Sequence, residues 1–205
     1  MRFYVLSQKE EVGCQVGMLS AALYDKYYPS ADDVEYGLFP WYAEKGRVAI
    51  RTPFPDGMVL ISKDKNYEFD IRSISRFFYI ASDEFLAVCR GLNVLIVDSA
   101  RIEVFSTKGE NIFSKKYNAV LFEELDPRKD TDPLSSFVED NGRPVRFKKL
   151  ILPSEWDLDL FKYKRMLSGS DTLICSERFK ELSGNLNGVA FTPLEDVVWS
   201  AVKRI

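Results

Sequence analysis

The sequence predicts an α+β fold, in which short helices pack on a mostly antiparallel sheet. Hydrophobic residues make up 46% of the 205 residues and aromatic residues 14%, which is enough for a packed core. Residues 101–107 alternate apolar and polar side chains, and a turn over residues 108–111 leads into a second strand that ends near Phe122, which predicts a β-hairpin. At two places an apolar strand runs into a serine and then acidic residues, the pattern of a helix N-terminus.

The N-terminal region begins with a predicted strand and a predicted helix. Residues 2–7 are largely aromatic or β-branched, and they predict a strand. From Gly17 to Tyr28, apolar residues recur at near-helical spacing and stop before Pro29, which predicts a short helix. Residues 29–57 are dense in proline and glycine and predict turns and short strands. We expect the aromatic side chains within them to lie in the core.

The central region contains several predicted strands. Residues 58–62 predict one strand, and residues 77–81 predict a second that is strongly apolar. The second strand leads into Ser82, whose side chain can cap the free amides of a helix over residues 85–92. The hairpin over residues 101–122 follows.

The C-terminal region repeats the strand-to-helix pattern. Residues 172–175 are apolar and lead into Ser176, as residues 79–81 lead into Ser82. In both places acidic residues follow the serine and a phenylalanine lies three positions after it. Two explanations stay open: independent use of ordinary capping chemistry, or a duplicated unit.

The remaining segments complete a single predicted domain over residues 1–205. Residues 146–152 predict a strand, residues 188–191 a final strand, and residues 194–202 a short amphipathic helix. The polar stretch near residues 126–142 either separates two lobes or forms a large surface loop.

The charge balance of the chain is mildly acidic. The 28 basic and 31 acidic residues give a formal net charge of −3. Nucleic-acid binding rests on a concentrated positive field, so we expect no nucleic acid partner and a basic protein partner instead. No apolar run approaches the roughly 20 residues that span a bilayer, and the apolar N-terminal stretch is too short for a signal peptide. We therefore expect a cytoplasmic protein that does not contact a membrane.

The sequence contains no histidine, which restricts the chemistry that this chain can perform. Histidine is the side chain that most often supplies acid-base catalysis near neutral pH and activates nucleophiles. A phosphate-binding glycine-rich loop is also missing from the sequence. Cys14, Cys89 and Cys175 lie far apart and predict buried thiols rather than a metal or redox site. We expect a protein that is not an enzyme and that carries no cofactor and no structural metal.

Paired carboxylates are the remaining catalytic alternative. Asp157 and Asp159 are two positions apart and share one face of an extended chain, an arrangement open to a carboxylate-dependent hydrolase. Glu123 and Glu124 are adjacent, so on a strand they point to opposite faces. Isolated acidic pairs are common on solvated surfaces, and the hydrolase is kept as an alternative function.

The stretch of residues 123–140, called the acidic segment below, concentrates negative charge. It holds seven acidic residues against Arg128 and Lys129, a net charge of −5. Such a segment is either a solvated loop or a patch that steers and holds a cationic partner. The basic residues of the following stretch are an internal source of neutralisation: Arg143, Arg146, Lys148 and Lys149. The candidate contact residues are Glu123, Glu124, Asp126, Asp130, Asp132, Glu139 and Asp140.

Several segments resemble a known family. The run Asp171-Thr-Leu-Ile-Cys-Ser-Glu-Arg-Phe-Lys-Glu-Leu182, followed by residues 185–193, is similar to the closing motif of single-domain immunity proteins of bacterial polymorphic-toxin and contact-dependent growth inhibition systems. Residues 77–86 and 116–122 resemble these proteins as well.

The resemblance implies a cytoplasmic protein that binds the C-terminal domain of a cognate toxin and blocks its active site or its access to substrate. A basic nuclease is one toxin that an acidic patch would suit. The family offers no catalytic residues to transfer, so the contact residues above rest on charge alone. A general protein-binding adaptor is a further alternative, and the sequence does not indicate the oligomeric state.

Overall fold

A computed structural model describes residues 2–24, 26–28, 53–74, 78–164, 166 and 172–199. Within these residues the chain forms thirteen strands, two α-helices and one 3-10 turn. The elements in chain order are β1 (Phe3–Gln8), β2 (Ala21–Tyr24), β3 (Val59–Ser62), β4 (Ile71–Ser73), β5 (Tyr79–Ser82), α1 (Asp83–Arg90), β6 (Ile96–Ser106), β7 (Tyr117–Phe122), β8 (Glu124–Leu125), β9 (Ser136–Asp140), β10 (Arg143–Lys149), β11 (Leu160–Tyr163), β12 (Leu173–Ser176), α2 (Glu177–Leu182), β13 (Val189–Pro193) and the 3-10 turn (Leu194–Asp196).

The strands form two larger sheets and one hairpin. The six-stranded sheet has the order β2-β3-β6-β7-β5-β4, and the five-stranded sheet has the order β13-β1-β12-β11-β8. Among the described strands, β9 and β10 pair only with each other. The predicted hairpin is confirmed as the antiparallel pair β6–β7.

Both larger sheets are mixed rather than purely antiparallel, although most neighbouring strands pair antiparallel, in line with the mostly antiparallel sheet that the sequence predicted. β3 pairs in parallel with β6, and β8 pairs in parallel with β11. The remaining neighbouring strands of the two sheets pair antiparallel. A parallel pair joins strands that are separated by a long crossover, and local sequence patterns do not reveal such a partner. The broader α+β prediction roughly fits, with strand far more abundant than helix.

The two predicted strand-to-helix corners are confirmed. The Ser82 hydroxyl accepts a hydrogen bond from the Phe85 amide at 3.0 Å, and the Ser176 hydroxyl accepts one from the Phe179 amide at 3.1 Å. Each serine therefore satisfies a free N–H group at the start of its helix. Each serine hydroxyl also donates to a buried carboxylate, Ser82 to Asp70 and Ser176 to Asp159.

The phenylalanines of the two corners meet in a core shared by both sheets. The rings of Phe85 and Phe179 are fully buried, with centroids 5.7 Å apart. Tyr4 from the five-stranded sheet and Val120 from the six-stranded sheet belong to the same cluster. The short helices are therefore held mainly by the burial of one aromatic side chain each, because helices of this length are marginal by themselves.

The predicted helix from Gly17 to Tyr28 is wrong. The chain forms strand β2 there, antiparallel to β3, with Ala21 opposite Ser62 and Tyr24 opposite Val59. A short segment gains little from helical hydrogen bonds alone, and pairing with an adjacent buried strand outweighs a weak helical periodicity. The predicted turns and strands of residues 29–57 lie mostly outside the described residues.

The predicted helix over residues 194–202 is also wrong in its described part. The 3-10 turn Leu194–Asp196 ends at Val197, which has extended backbone angles. Residues 200–202 lie outside the described part of the chain.

The stretch near residues 126–142 contains strand β9 and leads into β10. Asn141 and Gly142 join the two strands and both have positive φ angles, 48° and 73°. An Asn-Gly pair is a strong local signal for this kind of tight hairpin turn. One domain over residues 1–205 stays a prediction.

Candidate functional site

The acidic segment begins where the chain passes from one sheet to the other. β7 ends in the six-stranded sheet, and the Glu123 amide donates to the Leu95 carbonyl at 2.9 Å. β8 then pairs in parallel with β11 at the edge of the five-stranded sheet. A turn and strand β9 complete the segment. Glu123, Glu124, Glu139 and Asp140 are exposed, and Asp126, Asp130 and Asp132 are partly buried.

Glu124 neutralises a buried lysine. Its carboxylate lies 3.1 Å from the ammonium nitrogen of Lys162, which is fully buried. The same ammonium group lies 5.3 Å from the ring centroid of Tyr79. A buried charge that loses its partner is strongly destabilising. The Glu124 carboxylate therefore stabilises the fold.

Asp126 is held by a lysine and by the backbone. Its carboxylate lies 2.7 Å from the Lys164 ammonium nitrogen and accepts the Arg128 amide at 2.9 Å. These hydrogen bonds, chiefly the one from Lys164, lower the pKa of Asp126 below its usual value. The Arg128 guanidinium in turn donates to Glu139 at 2.7 Å. Asp126 and Glu139 thus face cations supplied by this chain.

Asp130 and Asp132 stabilise turns. The Asp130 carboxylate accepts the Asp126 amide at 2.6 Å, and the Asp132 carboxylate accepts the Leu134 amide at 2.8 Å. Short acidic side chains commonly cap backbone amides in this way. Glu123 and Asp140, in contrast, are exposed and make no side-chain hydrogen bond or ion pair with another described residue. These two carboxylates are the ones open to a partner.

The cations that neutralise the acidic segment are not the basic residues that follow it in the sequence. Within the described ranges, no ion pair joins the acidic segment to the basic residues of β10, although Arg143 lies opposite Asp140 in the β9–β10 pair. Arg128, Lys162 and Lys164 take that role instead. The last two lie on or next to β11, whose parallel pairing with β8 has no local signal in the sequence.

A groove of about 650 Å³ adjoins the acidic segment, and sequence reasoning missed it. Ile151 lies between the lining residues Leu150 and Leu152 and joins them to the segment, since its carbonyl accepts the Asp132 amide at 2.9 Å and the Ser135 hydroxyl at 3.0 Å. Aromatic and basic side chains line the groove: Phe3, Trp156, Trp199, Arg2, Lys148 and Lys149. Arg2 forms an ion pair with Glu195, which also lines the groove. The charges of both signs and the aromatic rings make this face suited to protein recognition.

Asp157 and Asp159, the candidate hydrolase pair, have structural partners. Asp159 is buried and accepts the Asn93 amide at 2.9 Å as well as the Ser176 hydroxyl at 2.5 Å. Asp157 accepts the Asn93 side-chain amide at 3.2 Å. The pair therefore secures the turn after α1, and its geometry supplies no open carboxylate pair for a substrate.

Among the described residues, no group of three or more cysteine, aspartate or glutamate side chains is placed to hold a metal ion. No helix in the described part of the chain is long and apolar enough to cross a membrane.

The mixed sheets and the capped corners describe an α+β protein, and its charged, grooved face is suited to protein recognition. The family model for Immunity protein 43 matches residues 24–201, most of the chain. The chain therefore belongs to the Immunity protein 43 family, and the predicted resemblance to immunity proteins of toxin–immunity systems is confirmed. Immunity proteins are not typically enzymes, and the family implies binding of a cognate toxin. No curated protein matches the chain.

Proposed function

We propose that this immunity protein neutralises its cognate toxin by binding the toxin's C-terminal domain with the acidic segment, in the cytoplasm and without catalysis. The bound chain occludes the toxin's active site or its access to substrate. The proposal rests on one observation, that only some carboxylates of the segment are used in contacts within the chain. Five of its seven carboxylates serve internal contacts, whereas Glu123 and Asp140 are exposed and open to a partner.

The chemistry of this face favours a toxin with a basic surface, such as a nuclease. Exposed carboxylates attract a cationic partner over a distance and raise the association rate. The adjoining groove adds aromatic rings, which often dominate the binding energy at interfaces. Lys148 and Lys149 are exposed on the same groove and contribute positive charge that fixes orientation.

The first experiment identifies the partner. The chain, tagged at its C-terminus, is purified from its native host, and a stoichiometric partner is identified by mass spectrometry. The terminal domain of that partner is then expressed alone. We expect it to be lethal and the lethality to be relieved by this chain. A partner that is harmless by itself contradicts the proposal and favours the adaptor function.

The second experiment tests the surface. The double variant Glu123→Lys/Asp140→Lys should associate with the toxin domain about tenfold more slowly. Its association rate should also depend less on salt concentration, because the electrostatic steering is lost. Protection in cells should fall with it. Glu103→Lys/Glu181→Lys changes the net charge equally at exposed sites on β6 and α2 and is the matched control. Equal association rates for both double variants would reject the acidic segment as the contact surface.

A further inference from the structure

The loop between β1 and β2 presents three aliphatic side chains to solvent. Val12, Val16 and Met18 are 82%, 59% and 67% exposed. Single exposed apolar residues are ordinary on protein surfaces, but here three lie within seven positions of one loop. We call residues 9–18 the β1–β2 loop.

A buried arginine anchors the backbone of this loop. Arg72 lies on β4 with its side chain almost fully buried, and no carboxylate among the described residues forms an ion pair with it. Its guanidinium instead donates to five backbone carbonyls, as many as it has N–H groups. The acceptors are Gln15 at 2.7 Å, Ile71 at 2.8 Å, Gly188 at 2.9 Å, Lys9 at 3.2 Å and Cys14 at 3.5 Å.

Three of those five acceptors belong to the β1–β2 loop, so the buried Arg72 guanidinium mainly fixes the position of the loop backbone. Burial of a guanidinium is costly and is tolerated only when its donors are satisfied. Any displacement of the loop backbone would leave N–H groups of Arg72 unpaired in the interior. The loop is thereby restrained far more strongly than an ordinary surface connection.

Further contacts close the base of the loop. The Gln8 side-chain oxygen accepts the Gly17 amide at 2.5 Å, and its NH₂ group donates to the Gly17 carbonyl at 3.3 Å. The Glu68 amide donates to the Gly13 carbonyl at 2.9 Å. Gly13 has a φ of +70°, and a Cβ atom there would lie 2.8 Å from the Glu68 side chain. The exposed aliphatic side chains therefore sit on a backbone that is ordered before any partner arrives.

We infer that the β1–β2 loop is a second, apolar contact surface for the cognate toxin, which Val12, Val16 and Met18 engage at an apolar depression on the toxin domain. This inference rests on the proposed function. A preorganised loop avoids the entropic cost of ordering upon binding, which is the benefit that its anchoring provides.

Two observations favour the toxin over a second copy of this chain as the occupant. Three aliphatic side chains cover only a small part of the roughly 800 Å² that each partner contributes to a standard interface, so the loop must supplement a larger contact. Lys9 pairs with Glu11 at 2.5 Å, so exposed Glu10 leaves one unbalanced negative charge beside the aliphatic residues, which repels a second copy of this chain and suits the basic toxin proposed above.

The test uses the full chain and the purified toxin domain whose lethality the chain relieves. Val12→Asp/Met18→Asp should dissociate from that domain at least about tenfold faster and associate no more slowly, because the added negative charges do not oppose a basic partner. This signature is opposite to that of Glu123→Lys/Asp140→Lys, because apolar contacts act mainly on dissociation. Val97→Asp/Leu182→Asp is the control, since those side chains are 50% and 57% exposed elsewhere.

A second variant tests the anchoring without touching the apolar side chains. Gln8→Ala removes both hydrogen bonds to Gly17 and leaves Arg72 in place, so the chain should fold normally. Its toxin affinity should fall severalfold, and the Gly17 amide should exchange its hydrogen faster. Faster exchange with full affinity would overturn the role of preorganisation.

The remaining outcomes are separable. If wild-type chain binds the toxin domain and Val12→Asp/Met18→Asp binds equally well, the loop inference is overturned and the proposed function stands. If the variant instead changes a dimer to a monomer with unchanged toxin affinity, the occupant is a second copy and the inference is overturned. If wild-type chain binds no toxin domain, both the proposed function and the inference fall.

Discussion

Asp70 and Asp159 play the same part at the two strand-to-helix corners, and each also holds the chain that leaves the other helix. The Asp70 carboxylate accepts a hydrogen bond from the cap residue of α1, and Asp70 exchanges hydrogen bonds with Asn187, which follows α2. Asp159 bonds the cap residue of α2 and exchanges hydrogen bonds with Asn93, which follows α1. The start of each helix is therefore tied to the exit of the other.

This reciprocity bears on the origin of the two corners. Capping chemistry alone favours a short polar residue such as serine before each helix, but it does not require a buried aspartate that reaches the opposite helix exit. A duplicated unit packed against its copy would produce this arrangement. The partners of the two aspartates are not identical: Asp70 pairs with Lys115 at 2.6 Å, whereas Asp159 lies 3.9 Å from the Arg178 guanidinium.

Asp159→Ala should destabilise the protein by about 2–4 kcal/mol. The substitution leaves the buried Ser176 hydroxyl and the Asn93 amide without an acceptor, and each unsatisfied group costs roughly 1–3 kcal/mol. Asp157→Ala is the control, because its exposed carboxylate accepts only the Asn93 side chain. Urea unfolding monitored by circular dichroism measures both. Equal stability of the two variants would contradict the role of Asp159.

Ser82→Ala and Ser176→Ala should each lower the free energy of unfolding by about 1–2 kcal/mol. Each substitution removes an N-cap acceptor and leaves a buried carboxylate oxygen without its hydroxyl donor. Ser154→Ala, at an exposed site, should have little effect. The comparison is made by thermal and urea unfolding. A Ser176→Ala variant as stable as Ser154→Ala would show that the cap contributes little.

Phe85 and Phe179 should be energetically coupled. Their rings are tilted at 57° with centroids 5.7 Å apart, and aromatic pairs of this kind contribute about 0.5–1.5 kcal/mol beyond burial. In a double-mutant cycle with leucine, the two losses should therefore differ from additivity by a similar amount. Phe85 paired with Phe3, which belongs to another cluster, should be additive. Additivity of both pairs would mean that the corner phenylalanines act independently.

The three cysteines should be unreactive in the folded protein. Burial raises the pKa of Cys89 to about 12 and raises the pKa values of Cys14 and Cys175 as well. The thiolate is the reactive form, so an aromatic disulfide reagent at pH 8 should modify the native protein only over the time of its unfolding. In denaturant, three thiols should react at once. Rapid labelling of one native thiol would contradict the burial of that cysteine.

The ion pair between Asp126 and Lys164 should make a small contribution to stability that disappears in acid. The folded-state pKa of Asp126 is lowered, chiefly by its hydrogen bond from Lys164, so this contribution is present above the unfolded value of about 4. It is lost as the pH falls through the lower folded-state pKa. Lys164→Gln should therefore be slightly less stable than wild type at pH 7 and equal to it near pH 2. A stability difference that persists in acid would show that Lys164 acts through packing.

Local chemistry made the two corners predictable. The Ser-acidic-Xaa-Phe pattern at Ser82 and Ser176 specifies a cap and a buried aromatic side chain within four residues, and both are formed. The β6–β7 hairpin was predictable for the same reason, since its strands are adjacent in sequence. The Asn141–Gly142 turn also carried a local signal, which the interpretation of residues 126–142 overlooked.

The candidate site was predictable only as a list of charges. The sequence identified the seven carboxylates, but it did not show which of them pair internally. Lys162 reaches Glu124 because β11 and β8 are parallel neighbours, and the groove forms because residues 2–3, 148–156 and 194–199 converge. Such contacts depend on which distant segments the packing brings together.

By itself, the sequence determined the elements whose stabilising contacts lie within a few residues, together with the family, whose motifs are of that local kind. The tertiary structure alone decided the mixed strand order, the strand at Ala21–Tyr24, the reciprocal bonds of Asp70 and Asp159, and the two carboxylates left open to a partner. The physical reason is that a cap or a turn is satisfied by its neighbours in the chain, whereas a buried charge or a sheet edge is satisfied by whichever segment the fold places beside it.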